Sequence, residues 1–413
     1  MHFYKDIIYL QWLKMTAVNL LILGAGAAGS IVANKVSREL RRDIAEEKFK
    51  VTILDKNDVN VNPAGFTFIP FHLLAPEDIT RPMCKVISPR VKTAFGVDGE
   101  VTHVDLGSRK VTVKSGKSYD YDYLLIATGA RLHPEAVPGL SEDYKTFYSM
   151  EGCLELRDVL NTFDKGRIVI TTPEMPIACP GAPSKFTVLL DDYLKYVRGG
   201  DIRKDIEISF LWPIGNIGPG VYHAKVETGF AERGIDFKKD WVTREVDPEK
   251  KEVVSVDGER VSYDLLVSIP PHRGAKAMLD SGISDEKGWL PTNKHTLQYY
   301  KSSTEKYDEV YAIGDGGPIK MNKMGINAHF QALKTGQNLI NDYHGNGVKS
   351  IYKGEQGCPI VESSYTPNTD GKAYMVTWTY GNPAKPFNST RLGWLIYRMY
   401  YYIYFDLTAK AIM

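Results

Sequence analysis

Two groups of residues in this chain could carry redox chemistry. The first is Gly24-Ala25-Gly26-Ala27-Ala28-Gly29. It follows an apolar run over 18–23 (VNLLIL), as a buried parallel strand should read, and precedes a helical stretch to about Arg42. A second strand over 50–55 ends in Asp55, followed by Lys56. In that setting Gly24 permits a tight turn and Gly26 lets the backbone approach a pyrophosphate. Gly29 lets helix and strand pack closely, and the helix start at Ala27 and Ala28 faces the phosphates. Asp55 is placed to accept hydrogen bonds from a ribose. The second group is the four cysteines, Cys84, Cys153, Cys179 and Cys358. They are too few for a disulfide scaffold and none has zinc-ligand spacing, so no metal site is expected. Any that act do so as redox or nucleophilic thiols, and Cys84 and Cys153 read as small buried residues.

These residues need a scaffold of ordinary size. The 413 residues allow two or three domains, and 43% hydrophobic with 24% charged residues is usual for a globular chain. A net charge of +1 supplies no field that would draw nucleic acid. A second α/β unit opens at 167–171. It is followed by a helix over 183–197, whose Phe186, Leu189, Leu190, Tyr193, Leu194 and Val197 fall on one face. Further strands fit 206–212, 252–256 and 264–269. The chain then returns through 310–313 and a helix over 325–343. The fold class is α/β: two Rossmann-like domains, one interrupting the other, and a C-terminal region. The boundaries fall at 16–130 and 271–345 for the first domain, 131–270 for the second and 346–413 for the tail.

The turn after the second domain's first strand, Thr171-Thr172-Pro173-Glu174-Met175-Pro176-Ile177-Ala178-Cys179, lacks glycines for pyrophosphate approach and holds two prolines. The second domain is therefore expected to have lost its nicotinamide site.

Two further motifs, Ala127-Thr128-Gly129 and Tyr311-Ala312-Ile313-Gly314-Asp315, resemble the additional FAD motifs of two-dinucleotide-domain flavoprotein reductases. That resemblance implies FAD as cofactor, with Asp315 on its ribitol chain. Pro176-Ile177-Ala178-Cys179-Pro180-Gly181-Ala182-Pro183-Ser184-Lys185 is similar to the segment carrying the first redox cysteine of the sulfide:quinone oxidoreductases. Cys358 ahead of Gly371-Lys372-Ala373 resembles the second. The segment 288–298 and Lys323-Met324-Gly325 with Gln331-Ala332 are also similar, and the family places this lysine close to the flavin pyrimidine ring. The resemblance implies that hydrosulfide attacks a Cys179–Cys358 disulfide, leaving a persulfide on one cysteine and a thiolate on the other. The thiolate adds to flavin C4a and reduces the flavin. A position at the start of the 183–197 helix favours Cys179 as that thiolate, with Cys358 carrying sulfane sulfur. Lys323 would stabilise the reduced flavin anion.

From Leu392 a stripe of Leu395, Ile396, Met399, Tyr400, Ile403, Tyr404 and Leu407 marks a helix too charged to span a bilayer. Its Trp and Tyr residues suit the headgroup level, so it is expected to lie monotopically on the membrane. The partners are then hydrogen sulfide, membrane quinone and a membrane surface, with a homo-oligomer expected. Tyr374, Tyr380 and Phe387 are candidates for the quinone pocket. The lack of an export signal points to the cytoplasmic side. Two alternative families share the fold. A flavocytochrome c sulfide dehydrogenase would carry an export signal. A type II NADH:quinone dehydrogenase would need the second glycine motif and no cysteine pair.

Overall fold

A computed structural model describes residues 17–317, 322–366, 369–386 and 388–413. Residues 1–16 and Phe387 lie outside it. In chain order, β1 (Val18–Leu23), α1 (Ala27–Glu39), β2 (Phe49–Asp55), β3 (Lys92–Phe95) and β4 (Tyr123–Ile126) begin one sheet. A second unit follows: α2 (Met150–Leu160), β5 (Gly166–Thr171), α3 (Ala182–Asp192), β6 (Ile206–Leu211), α4 (Gly220–Glu232), β7 (Asp236–Lys238) and β8 (Leu265–Ser268). The strands β9 (Gln298–Tyr300) and β10 (Lys306–Ala312), with α5 (Gly325–Tyr343), return to the first sheet. The tail holds β11 (Gln356–Thr366), β12 (Thr369–Thr379), β13 (Asn382–Pro386) and α6 (Arg391–Ile403).

The first sheet has the order β9-β10-β4-β1-β2-β3 and is parallel except at its β9 edge. Helices α1 and α5 cover one face, which explains why β1 is apolar along its length. Because β10 pairs with β4, the turn after β10 emerges beside the turns after β4 and β1. This is where such sheets bind ligands. The second sheet, β7-β6-β5-β8, is wholly parallel, with β5 inside it. The two crossings between the sheets run side by side, Ala130–Leu132 pairing antiparallel with His272–Gly274.

Two features depart from the sequence-based expectation. Helix α3 is buried all round rather than along one stripe, and it ends at Asp192. A wide turn over Tyr193–Val197 follows, leaving Val197 exposed. The tail, which showed no α/β pattern, forms an antiparallel sheet in which Cys358 faces Val376 across the β11–β12 ladder. Gly357 and Pro359 beside Cys358 hide that strand from propensity rules. Helix α6 has the expected position. Its aromatic residues Trp394, Tyr397 and Tyr401 face the protein, and Leu392, Leu395, Ile396, Met399 and Tyr402 face outward. No helix among the described residues is long and apolar enough to cross a membrane.

Candidate active site: a thiol pair beside a dinucleotide cradle

The glycine turn is shaped by contact. Gly24 has φ +96°, and a Cβ there would stand 2.4 Å from the Ala127 carbonyl oxygen; one on Gly29 would stand 1.9 Å from that of Gly24. Gly26 faces open space, as close approach by a phosphate requires. The Asp55 carboxylate braces this turn, accepting the Ala25 N–H at 2.7 Å and that of Asn57 at 2.9 Å. Lys56 points to solvent.

The other two motifs close on the same seam. A Cβ on Gly314 (φ +73°) would sit 3.7 Å from the Ala28 side chain, and one on Gly316 would sit 3.2 Å from the Gly129 carbonyl. Gly129 itself has φ +66°. The Gly314 N–H donates to Gln331 Oε1 at 2.8 Å. A cleft runs past Gly314, Asp315, Asn322, Lys323 and Asn327. The Thr128 hydroxyl is buried on this seam with no partner among the described residues. Burial raises the Asp315 carboxyl above the usual range, partly offset by the Lys323 ammonium. An open glycine, an unpartnered hydroxyl and a buried acid fit the pyrophosphate, ribityl and hydroxyl groups of FAD. Gly24, Gly26, Gly29, Thr128, Gly129, Gly314 and Asp315 would hold it. Gly325 opens α5 just after Met324, and a Cβ there would stand 3.8 Å from the Tyr400 hydroxyl.

Lys323 joins this cradle to the cysteines. Its ammonium donates to the Asp315 carbonyl at 2.5 Å and the Gly317 carbonyl at 2.7 Å, and lies 3.9 Å from the Trp289 ring centre. Burial pulls its pKa down to about 8 against the opposing pull of Asp315. Its own carbonyl accepts the Cys179 N–H, and Ala178 bridges to it in parallel. Cys179 holds φ +47°, a left-handed conformation uncommon for a side chain of this kind. The turn after β5 is thereby drawn to the turn after β10.

The thiols of Cys179 and Cys358 meet under one cation. The Lys185 ammonium, buried on α3, lies 3.9 Å from each sulfur and 5.4 Å from the Tyr397 ring centre. Tyr222 on α4 places its hydroxyl 3.8 Å from the Cys358 sulfur. The Cys179 S–H donates to Cys358, whose pKa falls to about 6 through that bond despite burial, with help from Lys185 and Tyr222. As the donor in that bond, and buried, Cys179 is pushed well above the thiol range. The Lys185 ammonium thus stabilises a negative charge on the thiol pair. Burial pulls the Lys185 pKa down, but the two thiols and Tyr222 outweigh it and hold the ammonium charged.

The Tyr148 hydroxyl donates to the Ala178 carbonyl at 2.9 Å, supporting the cysteine turn. His272 stacks edge-on to Tyr148, and burial lowers its pKa to about 4. A small cleft beside Cys358 is lined by Gly181, Ile217, Tyr222, Met324 and Trp378. Tyr374 lies beneath Lys225, and Tyr380 packs against Tyr352 and His295; neither lines that cleft. Cys153 is buried against the Phe66 carbonyl, as expected of a packed thiol. Cys84 is exposed, contrary to expectation, because it lies on the outward side of the short helix Met83–Val86. Sequence reasoning assigned no role to Lys185, Tyr222 or Tyr148. The one available signal was a lysine among the apolar residues of α3.

Residues 18–171 match the model of the pyridine nucleotide-disulphide oxidoreductase family. The mitochondrial sulfide:quinone oxidoreductase of Dictyostelium discoideum is 27% identical over 386 residues, covering 90% of this chain and 80% of that protein. The Mus musculus mitochondrial sulfide:quinone oxidoreductase is 25% identical, covering 83% of this chain and 75% of that one. Among solved structures, the sulfide:quinone oxidoreductase from Aquifex aeolicus superposes with a TM-score of 0.78 at 20% identity, over 96% of this chain and 92% of that one. Fold, cradle and relatives together define an enzyme, an FAD-dependent oxidoreductase with two Rossmann-type units. Within that class the chain is a relative of the sulfide:quinone oxidoreductases, which bears out the resemblance carried by its cysteine motifs.

Proposed function

We propose that the chain is a sulfide:quinone oxidoreductase acting through Cys179 and Cys358. The observation that carries this reading is the approach of both sulfurs to the single Lys185 ammonium, beside the seam of the three FAD motifs. In the oxidised enzyme the two thiols are joined as a disulfide. Hydrosulfide attacks the Cys358 sulfur; an S–S bond forms there and the Cys179–Cys358 bond breaks, leaving a persulfide on Cys358 and a thiolate on Cys179. Cys358 suits the sulfane sulfur because it opens onto the cleft of Ile217, Met324 and Trp378. Once Cys358 carries sulfur, Lys185 holds the Cys179 thiolate. The Cys179 N–H bond to the Lys323 carbonyl ties that turn to the cradle. When bound, FAD would supply the two-electron chemistry that links this thiolate to quinone. Lys323 supplies positive charge at the Asp315–Gly317 turn.

The membrane habit rests on the outward face of α6. There Leu392, Leu395, Ile396, Met399 and Tyr402 are 47–62% exposed, a continuous apolar stripe that suits a bilayer interface. Quinone would enter from that leaflet past the tail sheet bearing Tyr374, Trp378 and Tyr380. An NADH-driven reading is disfavoured at the turn after β5. Its Glu174 is engaged by Arg273 and Lys287, and it offers no glycine to a pyrophosphate. The deciding experiment mixes the yellow protein anaerobically with sulfide and, separately, with NADH. Sulfide is expected to bleach the flavin band and NADH to leave it. The reverse result, or bleaching by sulfide that persists in Cys179→Ser, would overturn the reading.

A further inference from the structure

Far from the sulfurs, the other end of α3 holds a cluster that the chemistry above does not use. Helix α3 runs from just beyond Cys179 to Asp191 and Asp192. An eleven-residue helix is about 16 Å long, so these acids lie well away from the thiols. Both are buried, Asp192 at 1% exposure. One Asp192 oxygen accepts the Ser364 N–H at 2.6 Å and the Ser364 hydroxyl at 3.1 Å. Its other oxygen accepts Arg233, from the end of α4, at 2.5 Å. Arg233 also donates to Asp191 at 2.5 Å and to the Glu362 carbonyl at 2.6 Å. Arg203 donates to Asp191 at 2.6 Å and to the Ile206 carbonyl at 2.7 Å. Two carboxylates and two guanidiniums thus neutralise one another.

Glu362 and Ser364 belong to β11, the strand that carries Cys358 six positions earlier. Asp191 and Asp192 belong to α3, whose start carries the Cys179 turn and Lys185. The tail sheet is tied to the second α/β unit by a buried, charge-assisted lock rather than by apolar packing alone. A buried acid left without its partners is costly, so the lock fixes one register of β11 against α3. Register matters here because a one-residue slip would turn Cys358 to the opposite face of its strand.

We propose that Asp192, with Arg233 and Ser364, is a positioning residue for the redox pair, holding β11 where the Cys358 sulfur meets Cys179. The proposal rests on the reading of Cys179 and Cys358 as a reactive pair. Its content is an effective concentration: the better the strand is held, the more the disulfide is favoured over two thiols. The measurement is a thiol–disulfide equilibrium. The holoenzyme is brought to equilibrium with glutathione and its disulfide at set ratios. Two protein thiols and one oxidised glutathione then exchange with the protein disulfide and two reduced glutathiones. Alkylation and mass spectrometry read the fraction of Cys179–Cys358 disulfide, and FAD content and Tm are recorded beside it.

Asp192→Asn is expected to shift the equilibrium about tenfold toward the dithiol, as loss of a buried charge-assisted bond suggests. Ser364→Ala removes a single hydroxyl bond and keeps the backbone one; about a twofold shift in the same direction is expected, with the fold intact. A purely structural lock would lower the Tm of both variants and leave the equilibrium constant of the folded, FAD-loaded fraction unchanged. That result overturns the proposal, even if Asp192→Asn folds poorly and only Ser364→Ala can be read. Failure of the unaltered enzyme to form the disulfide at all would instead sink the reactive-pair reading, and the proposal with it.

Discussion

The turn after β1 and the turn after β5 occupy the same place in two similar parallel sheets, yet they do opposite things. The first is stripped of side chains. Its glycines let a backbone come close to the strand ends, and Gly26 stays open to whatever approaches. The second is crowded with prolines and ends in a cysteine at φ +47° hooked onto Lys323. One turn is thus left open at Gly26, while the other brings a thiol to the same seam. The lesson is that a duplicated scaffold conserves where a turn points, and the residue types in it decide what chemistry arrives there.

The largest expected effect tests the thiol-delivering turn. Cys179→Ser should slow anaerobic flavin reduction by sulfide by about a thousandfold or more, since a hydroxyl cannot form the disulfide that hydrosulfide attacks. Stopped-flow absorbance of the flavin band would measure it, and a drop of less than tenfold would leave the two turns chemically equivalent. The phosphate-facing turn is tested next. Gly26→Val fills open space in the protein but blocks pyrophosphate approach, so FAD affinity should fall by about a hundredfold with little change in apoprotein Tm. Gly29→Ala should instead lower the apoprotein Tm, because its Cβ meets the Gly24 carbonyl.

A finer test concerns charge at the thiols. The Cys358 pKa is lowered to about 6, so its thiolate is present above that pH and is lost as the pH falls through it. Alkylation of the dithiol enzyme should therefore show a midpoint near pH 6. In Lys185→Met the midpoint should rise by about one to two units, because a cation 3.9 Å from the sulfur is gone while burial remains. An unmoved midpoint would remove Lys185 from the site's electrostatics. The smallest effect lies at the outward stripe. Ile396→Glu should weaken binding to anionic vesicles about tenfold, read by co-sedimentation, and leave sulfide-driven flavin bleaching in detergent unchanged.

Much of the fold was legible because its signals are local. Val18–Leu23, the glycine turn and the helix over 325–343 lie where apolar runs and spacing put them. The tail strands were not legible, since Gly357 and Pro359 break the pattern and burial there comes from a helix distant in sequence. Lys185, Asp191 and Asp192 were missed for a related reason. A charged residue in a helix reads as solvent-facing, and only the neighbours that surround α3 turn it inward. The same blindness placed Cys84 in a core.

The sequence by itself determined that two dinucleotide-type units exist, that the first keeps its glycine cradle and the second does not, and that two cysteines sit in segments of one family's kind. Those are properties of residue type and short spacing, which the backbone expresses locally. Tertiary structure decided that the two sulfurs share one ammonium and that buried acids far along α3 bond to the strand bearing Cys358. Distances between segments remote in the chain, and the loss of water around charges, are set only when the whole chain packs.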